Sequence, residues 1–283
     1  MNKRALVIGL SLLFFSTHAF AASSVSVMPE KIIQGDPVMV LLEGTTTLSD
    51  IQEARFDGKK INFFLYQSKP AALIGVDLHK TPGTYPIIIK LKNGDVLNGS
   101  VVINKRDKIE MPLGIPEKLG GNTTTSQNNL VSELAKENAL LANIRTSALP
   151  LWTEKFLFPL EKILVTDSYG YSRKTGQYEI AHKGVDYRAK EGTSIFAMNR
   201  GIVRIAKESR TYGKMIVIDH GMGLQTFYLH LSKINVKEGE QVKRAQLIGL
   251  SGQTGYADAP HLHLSIRIGN VSIDPVKFMD FFK

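Results

Sequence analysis

The chain has 283 residues, a formal net charge of +9 and no cysteine. Its 43% hydrophobic and 22% charged residues are typical of globular proteins and argue against extensive disorder. The absence of cysteine excludes a disulfide scaffold, a thiolate metal site and a cysteine nucleophile. The positive charge indicates an anionic partner, and composition alone leaves nucleic acid, a membrane surface and an acidic polymer open.

Residues 1–21 have the pattern of a secretory signal peptide. Lys3 and Arg4 precede an uncharged apolar segment, and Ala19-Phe20-Ala21 offers small residues suited to cleavage. A membrane anchor is the alternative, but the apolar segment is short for a span. We expect cleavage after Ala21, no transmembrane segment thereafter, and a periplasmic location in a Gram-negative bacterium or secretion. Export makes nucleic acid an improbable partner, and losing Lys3 and Arg4 lowers the formal charge from +9 to +7.

Residues 22–105 contain short apolar segments separated by turn residues such as Asp57-Gly58 and Asn93-Gly94. Several strands at this spacing predict an antiparallel β-sandwich. The sandwich is immunoglobulin-like in architecture only, because the cysteine pair of antibody domains is absent. We expect it to be an accessory domain.

Residues 106–149 are expected to form a linker with one helix. Prolines and glycines dominate the first part, and leucines at helical spacing predict an amphipathic helix over about 126–145. Its apolar side is expected to pack on a domain.

Residues 150–283 again favour strands and predict a second domain built on an antiparallel β-sheet. Trp152, Phe156 and Phe158 are expected to anchor its core. Residues 151–283 carry 19 basic and 13 acidic residues, a net +6, and five of the seven histidines. The chain is therefore predicted to be mainly β, with its chemistry in the second half.

Residues 261–268 alternate between polar and apolar side chains. On a strand, His261, His263, Ser265 and Arg267 would share one face, while the apolar residues between them anchor the other. Two neighbouring imidazoles suit metal binding or catalysis, although exposed strands also carry such pairs by chance.

A second cluster surrounds Gly184. On a straight strand His182 and Asp186 would lie about 13 Å apart, which is too far for one metal ion. The chain must bend between them if they act together, and Gly184 permits a bend. The alternative is an exposed turn with a surface ion pair.

Two further histidines lie on or beside predicted strands. Alternation over residues 224–230 predicts that Thr226, Tyr228 and His230 share one face, opposite Phe227 and Leu229. Taken alone, His230 would be an ordinary half-buried histidine. We interpret His220, which ends a strand beside glycines, as structural.

Together these residues fit a hydrolytic zinc site. Catalytic zinc usually has three protein ligands and an open position for water, whose pKa it lowers to roughly 7. Structural zinc usually has thiolate ligands, so a site of histidine and carboxylate indicates catalysis. Other histidines could transfer protons or stabilise an oxyanion. The sequence contains no G-x-S-x-G, phosphate-binding loop, dinucleotide fingerprint or H-E-x-x-H motif.

The second half resembles the lysostaphin/LytM-type zinc metalloendopeptidases, which cut the peptide part of bacterial peptidoglycan. The matching segments are residues 167–173 (DSYGYSR), 182–186 (HKGVD), 218–221 (IDHG), 228–231 (YLHL), 251–255 (SGQTG) and 259–263 (APHLH). Two positions depart from the family pattern, since Ala259 and Tyr169 stand where glycine and phenylalanine are common. Neither change removes a ligand.

The resemblance implies one Zn²⁺ per chain, bound by His182, Asp186 and His263. It also implies two catalytic histidines that are not ligands, His230 and His261, one as the general base and both stabilising the tetrahedral intermediate. We further expect substrate contacts from Arg173 and Tyr228.

The leading hypothesis is a zinc endopeptidase that hydrolyses peptide cross-links of peptidoglycan during wall remodelling, with the D-Ala–diaminopimelate bond as the expected target. The alternative is a non-catalytic wall-binding regulator of the amidase-activator type with a vestigial metal site. Such degenerate members have lost ligands, whereas all five positions are filled here. A third hypothesis, inhibition of the enzyme by its own N-terminal part, is compatible with the first. The sequence does not identify a protein partner.

Overall fold

The computed structural model describes residues 23–44, 46–152 and 154–282. The predicted signal peptide lies outside these residues. The described part of the chain is mainly β, with largely antiparallel sheets, as predicted. No helix of the described residues is both long and apolar enough to cross a membrane.

The N-terminal part is a sandwich of two sheets. Its strands are β1 (Ser24–Met28), β2 (Ile32–Ile33), β3 (Pro37–Glu43), β4 (Ile51–Phe56), β5 (Lys59–Lys60), β6 (Phe64–Tyr66), β7 (Lys69–Gly75), β8 (Gly83–Leu91) and β9 (Val96–Asn104). The sheets have the orders β1-β3-β7-β6 and β2-β9-β8-β4-β5. In β8, Ile87 and Ile89 are buried whereas Ile88 is exposed, because alternate side chains face opposite sides of a sheet. The likeness to an immunoglobulin fold stays a prediction.

Residues 106–149, the connecting segment, contain β10 (Glu110–Pro112), a 3₁₀ turn (Glu117–Leu119) and helix α1 (Thr124–Leu141). The Thr123 hydroxyl caps α1 by accepting a hydrogen bond from the backbone N–H of Ser126. The helix ends four residues before the predicted end. Beyond it the chain turns so that the Thr146 hydroxyl and the Ser147 N–H donate to Asp219, and these tertiary contacts replace further helical bonds.

The C-terminal part contains the remaining strands and helix α2 (Pro275–Asp280). The strands are β11 (Val165–Asp167), β12 (Ser172–Thr175), β13 (Tyr178–Ala181), β14 (Val185–Arg188), β15 (Ser194–Phe196), β16 (Gly201–Ser209), β17 (Gly213–Gly221), β18 (Leu224–Leu231), β19 (Lys233–Ile234), β20 (Gln241–Val242), β21 (Leu247–Leu250), β22 (His261–Ile268) and β23 (Val271–Ile273). The main sheet has the order β11-β14-β22-β18-β17-β16-β20, with β23 on β22. Trp152 and Phe156 are buried in the core on one face of this sheet.

The connecting segment is attached to the C-terminal part at several points. Strand β10 pairs in parallel with β12. The buried Leu141 of α1 packs with Met215, Val217, Phe227 and Leu229 on the other face of the main sheet. The segment is therefore part of the C-terminal packing and not a free tether.

The two halves also contact each other directly. Phe64 of the sandwich packs edge-on against Trp152, with ring centroids 5.2 Å apart. The Arg106 guanidinium contacts Asp36 of the sandwich at 3.0 Å and Asp274, the capping residue of α2, at 3.2 Å. Burial raises the pKa of Asp36 even with Arg106 beside it. This half-buried cation therefore joins two buried carboxylates that would be costly to leave unpaired.

We expect Arg106→Ala to lower the free energy of unfolding by about 3 kcal/mol, because it leaves two buried carboxylates without their cation. Urea unfolding followed by circular dichroism measures this change. Lys207→Ala, which removes an exposed cation, is the matched control. A stability for Arg106→Ala equal to that of the control would contradict the joining role of Arg106.

Candidate active site

Pairing of β14 with β22 brings the central site residues together. In the antiparallel register Asp186 lies opposite His263. His182 precedes β14, and its backbone N–H donates to the carbonyl of Tyr171 at 2.7 Å. A side chain at Gly184 would put its Cβ 2.3 Å from Nε2 of His263. Glycine is thus required where the chain bends past the histidine.

Three donor atoms converge at this position. The Nε2 atom of His182 lies 3.1 Å from Oδ1 of Asp186 and 3.1 Å from Nδ1 of His263, and the last two atoms are 2.7 Å apart. Nitrogen and oxygen ligands of a tetrahedral zinc ion, each roughly 2.0–2.1 Å from the metal, are separated by little more than this. Among the described residues, these three form the one cluster able to hold a metal ion.

The hydrogen bonds of the two histidines leave the converging nitrogens free of protons. Nδ1 of His182 lies 2.9 Å from the carbonyl oxygen of Ser168, which can only accept, so this nitrogen carries the hydrogen. Nε2 of His263 lies 2.9 Å from the Ser265 hydroxyl, which itself donates to the carbonyl of Lys183. Nε2 is therefore the donor. The lone pairs of the other nitrogens point to the shared centre, as metal ligation requires.

The second oxygen of Asp186 is held by an arginine. Nη2 of Arg173 donates to Oδ2 of Asp186 at 2.5 Å and to Oδ2 of Asp167 at 2.6 Å. This contact leaves Oδ1 directed at the histidines. The predicted substrate contact of Arg173 stays a prediction, and within the chain Arg173 orients Asp186.

Burial and neighbouring groups set the protonation of the cluster. Burial alone would raise the pKa of Asp186, but His182 and His263 beside it hold that pKa well below its usual range. Burial lowers the pKa of His263 to about 4. Burial, assisted by His261 and His263, lowers the pKa of His230 to about 3. At neutral pH these groups therefore have the forms that bind metals or accept protons.

His230 reaches the cluster through a break in strand β18. Its φ of +62° is left-handed. The pairing with β17 shifts so that Leu229 and His230 together oppose Met215, which is a β-bulge. The bulge turns the imidazole toward His261 and His263, at ring-centroid distances of 5.0 and 6.0 Å. The prediction that His230 shares a face with Tyr228 is therefore wrong.

The imidazoles of His230 and His261 make the same kind of hydrogen bond. Nδ1 of each lies 2.8 Å from a backbone carbonyl oxygen, that of Thr254 for His230 and that of Ala259 for His261. Each Nδ1 must donate, so each Nε2 is free to accept a proton. Nε2 of His261 lies 3.7 Å from Oδ1 of Asp186, beside the three converging donors.

Two other residues singled out in the sequence, Tyr228 and His220, are both buried. Tyr228 is fully buried on the opposite face of the sheet, and its hydroxyl accepts from the N–H of Met198 at 3.0 Å. A substrate cannot reach it there, so the prediction that Tyr228 binds substrate is wrong. His220 is buried between the carbonyl of Arg200 and the Thr226 hydroxyl, which agrees with a structural role.

Two cavities meet at the cluster. One of about 560 Å³ is bounded by α1 and by the sheet face that carries His263. The other, of about 360 Å³, contains Asp186 and His261. Leu113 of the connecting segment lines both cavities, as do Arg173, His230 and Tyr256. The connecting segment thus crosses the site where the cavities meet.

The residue patterns did not indicate the groups that hydrogen-bond to the site histidines. The carbonyls of Ser168, Thr254 and Ala259 have no side-chain signature, so no pattern could have identified them. Ser265 did have a signal, because alternation placed it beside His263, yet its bond to that histidine depends on the turn at Lys183.

Known proteins resemble the part of the chain that contains the cluster. The model of peptidase family M23 matches residues 180–275, which include the whole cluster. An uncharacterized metalloprotease of Haemophilus influenzae is 40% identical over 96 residues, 34% of this chain and 20% of that protein. The peptidoglycan DD-endopeptidase ShyA of Vibrio cholerae is also 40% identical over 96 residues, 34% of this chain and 22% of that protein. The chain thus spans about a fifth of the length of these relatives.

A solved structure covers most of the chain. It is described as a candidate M23 peptidase of Pseudomonas aeruginosa, has a TM-score of 0.64 and 22% identity, and aligns over 90% of this chain and 97% of its own. At this identity it shows a shared fold, including the N-terminal part. Residues 180–275 therefore form a domain of peptidase family M23, which confirms the resemblance found in the sequence.

Proposed function

We propose that this chain is a zinc-dependent endopeptidase that hydrolyses peptide cross-links of bacterial peptidoglycan. The observation that carries the proposal is the convergence of Nε2 of His182, Oδ1 of Asp186 and Nδ1 of His263, beside two further histidines and an adjoining cavity. The relatives supply the substrate class, since one is named a peptidoglycan DD-endopeptidase. The D-Ala–diaminopimelate bond remains the expected target.

His182, Asp186 and His263 would hold one zinc ion, whose contribution is Lewis-acid activation of water. His230 and His261 then act on the substrate and the attacking water. Each presents a free Nε2, so one can take a proton from the water and return it to the leaving amine nitrogen. Once protonated, an imidazole also stabilises negative charge on the carbonyl oxygen.

Charge distribution and the N-terminal sequence supply the biological setting of the proposal. The net charge of +6 over residues 151–283 would attract a wall polymer rich in carboxylates. Together with the signal-peptide pattern of residues 1–21, this supports action in the periplasm or outside the cell, in wall remodelling.

Replacement of single histidines by alanine separates metal binding from catalysis. We expect His263→Ala to lose both bound metal and activity. His261→Ala is expected to keep its metal and to lower kcat/KM by about 10²–10⁴-fold, because a proton-transfer group is removed. Elemental analysis after dialysis gives the metal content, and chromatography of peptides released from purified sacculi gives the activity.

Lys162→Ala is the control, because Lys162 is exposed and lines neither cavity of the site. Wild-type protein that retains no zinc would contradict the proposal, and so would His261→Ala digesting sacculi at the wild-type rate. The regulator alternative predicts that neither the wild type nor any variant releases peptides from sacculi, since a vestigial site performs no hydrolysis.

Arg173 is predicted to support metal affinity through Asp186. We expect Arg173→Gln to weaken zinc binding by about 10–100-fold, because the carboxylate loses the contact that fixes its orientation. Competition with a zinc-binding dye measures the affinity. Arg188→Gln, on the same strand as Asp186 but with an exposed side chain, is the control. Equal affinities of the two variants would show that Arg173 does not act through Asp186.

The position of the connecting segment favours the third hypothesis, restraint of the enzyme by its own chain. Leu113 lies where the cavities meet, and α1 covers the sheet face beside His263. A long substrate would have to displace this segment. The docking of α1 on the sheet through Leu141 should therefore limit the rate on sacculi.

Leu141→Asp is expected to raise the rate of sacculus digestion by about tenfold or more, because loss of a buried leucine weakens the docking of α1 by several kcal/mol. The matched control is Leu140→Asp, since Leu140 is 65% exposed on the same helix. Identical rates for both variants and the wild type would rule out restraint by α1.

A further inference from the structure

Arg267 lies in the larger cavity but has no role in the site described above. It follows His263 and Ser265 on the same face of β22, and it lines the cavity of about 560 Å³ that reaches the metal cluster. Its guanidinium stacks on the Phe227 ring, 4.5 Å from the centroid. Its Nη2 donates to the side-chain carbonyl of Asn138 on α1 at 3.2 Å.

The guanidinium lacks a negative partner. In the part of the chain that the structure describes, no carboxylate lies within 4.0 Å of Arg267, whereas Arg106 and Arg173 each contact two. Its Nε atom is buried and has no acceptor. Burial lowers the pKa of Arg267, which shows that its surroundings disfavour the positive charge.

An unpaired, partly buried arginine is costly to the folded chain. Its planar set of N–H donors matches the two oxygens of a carboxylate, and such paired hydrogen bonds are among the strongest in proteins. The stacking on Phe227 fixes the plane of the guanidinium without using its donors. The site is thus prepared for an anion that comes from outside the chain.

The distance from the cluster defines which carboxylate fits. His263 and Arg267 are four residues apart on a strand, which is about 13 Å between their Cα atoms. An extended peptide covers this distance in about four residues. The cavity is also in the size range of small-ligand pockets, roughly 300–1,000 Å³.

We propose that Arg267 binds a carboxylate of the substrate peptide, three to four residues from the bond that is cut. The peptide then lies along β22, with the cut bond at His263 and the anionic group at Arg267. The side-chain oxygen of Asn138 contacts the guanidinium in the free chain, at a position that a carboxylate oxygen would take. The assignment rests on the proposed peptidase function, because that function fixes where the cut bond lies.

Binding of two related peptides to the full chain tests the assignment. The probes are the stem tetrapeptide isolated from sacculi and the same peptide with its carboxyl groups converted to carboxamides. We expect calorimetry to show about 10–100-fold tighter binding of the free acid by the wild type, since a hydrogen bond to a charged group is lost in the amide. Arg267→Gln should reduce this preference to less than threefold, and Arg267→Lys should retain part of it.

Two further variants test whether the preference for the acid depends specifically on Arg267. Lys207→Gln removes an exposed cation that lines neither cavity, and it should keep the full preference for the acid. His263→Ala should lose hydrolysis but keep the preference, so a failure of the peptidase proposal is distinguishable from a failure of the carboxylate site. Equal wild-type binding of acid and amide, no binding of either probe, or an undiminished preference in Arg267→Gln would each overturn the assignment.

Discussion

The site depends on one backbone pairing. Because β14 and β22 pair with Asp186 opposite His263, a carboxylate and an imidazole are held on one face of a rigid sheet. The bend at Gly184 then returns His182 to the same point, and no larger residue would clear His263 there. A metal centre built in this way requires little rearrangement on binding, since its donor atoms are already close together.

The supporting contacts are largely backbone carbonyls. Carbonyl oxygens orient His182, His230 and His261, and each fixes which ring nitrogen carries the proton. Because these carbonyls belong to loops and strand ends of the same domain, the protonation pattern follows from the fold. The basic second half adds a longer-range attraction for anionic polymers, and Arg267 places one positive charge inside the cavity.

Much of this arrangement could be predicted from residue patterns, but some of it could not. Alternation over residues 261–268 correctly predicted a strand with His263, Ser265 and Arg267 on one face, and Gly184 correctly indicated a bend. The alternation of side chains failed as a guide at His230, because its left-handed backbone and the β-bulge turn the imidazole to the opposite face of the sheet. No residue type in that segment indicates the bulge. Tyr228 was misassigned for the same reason. The missing partner of Arg267 depends on which carboxylates the tertiary fold brings near, which local sequence does not specify.

The three converging residues His182, Asp186 and His263 are expected to form one metal centre. Anomalous X-ray diffraction at the zinc edge, from crystals of the full chain grown with one equivalent of zinc, can locate the metal. We expect one strong anomalous peak per chain, in contact with Nε2 of His182, Oδ1 of Asp186 and Nδ1 of His263. A chain without a peak at that position, or a peak bound by His230 and His261 instead, would contradict this expectation.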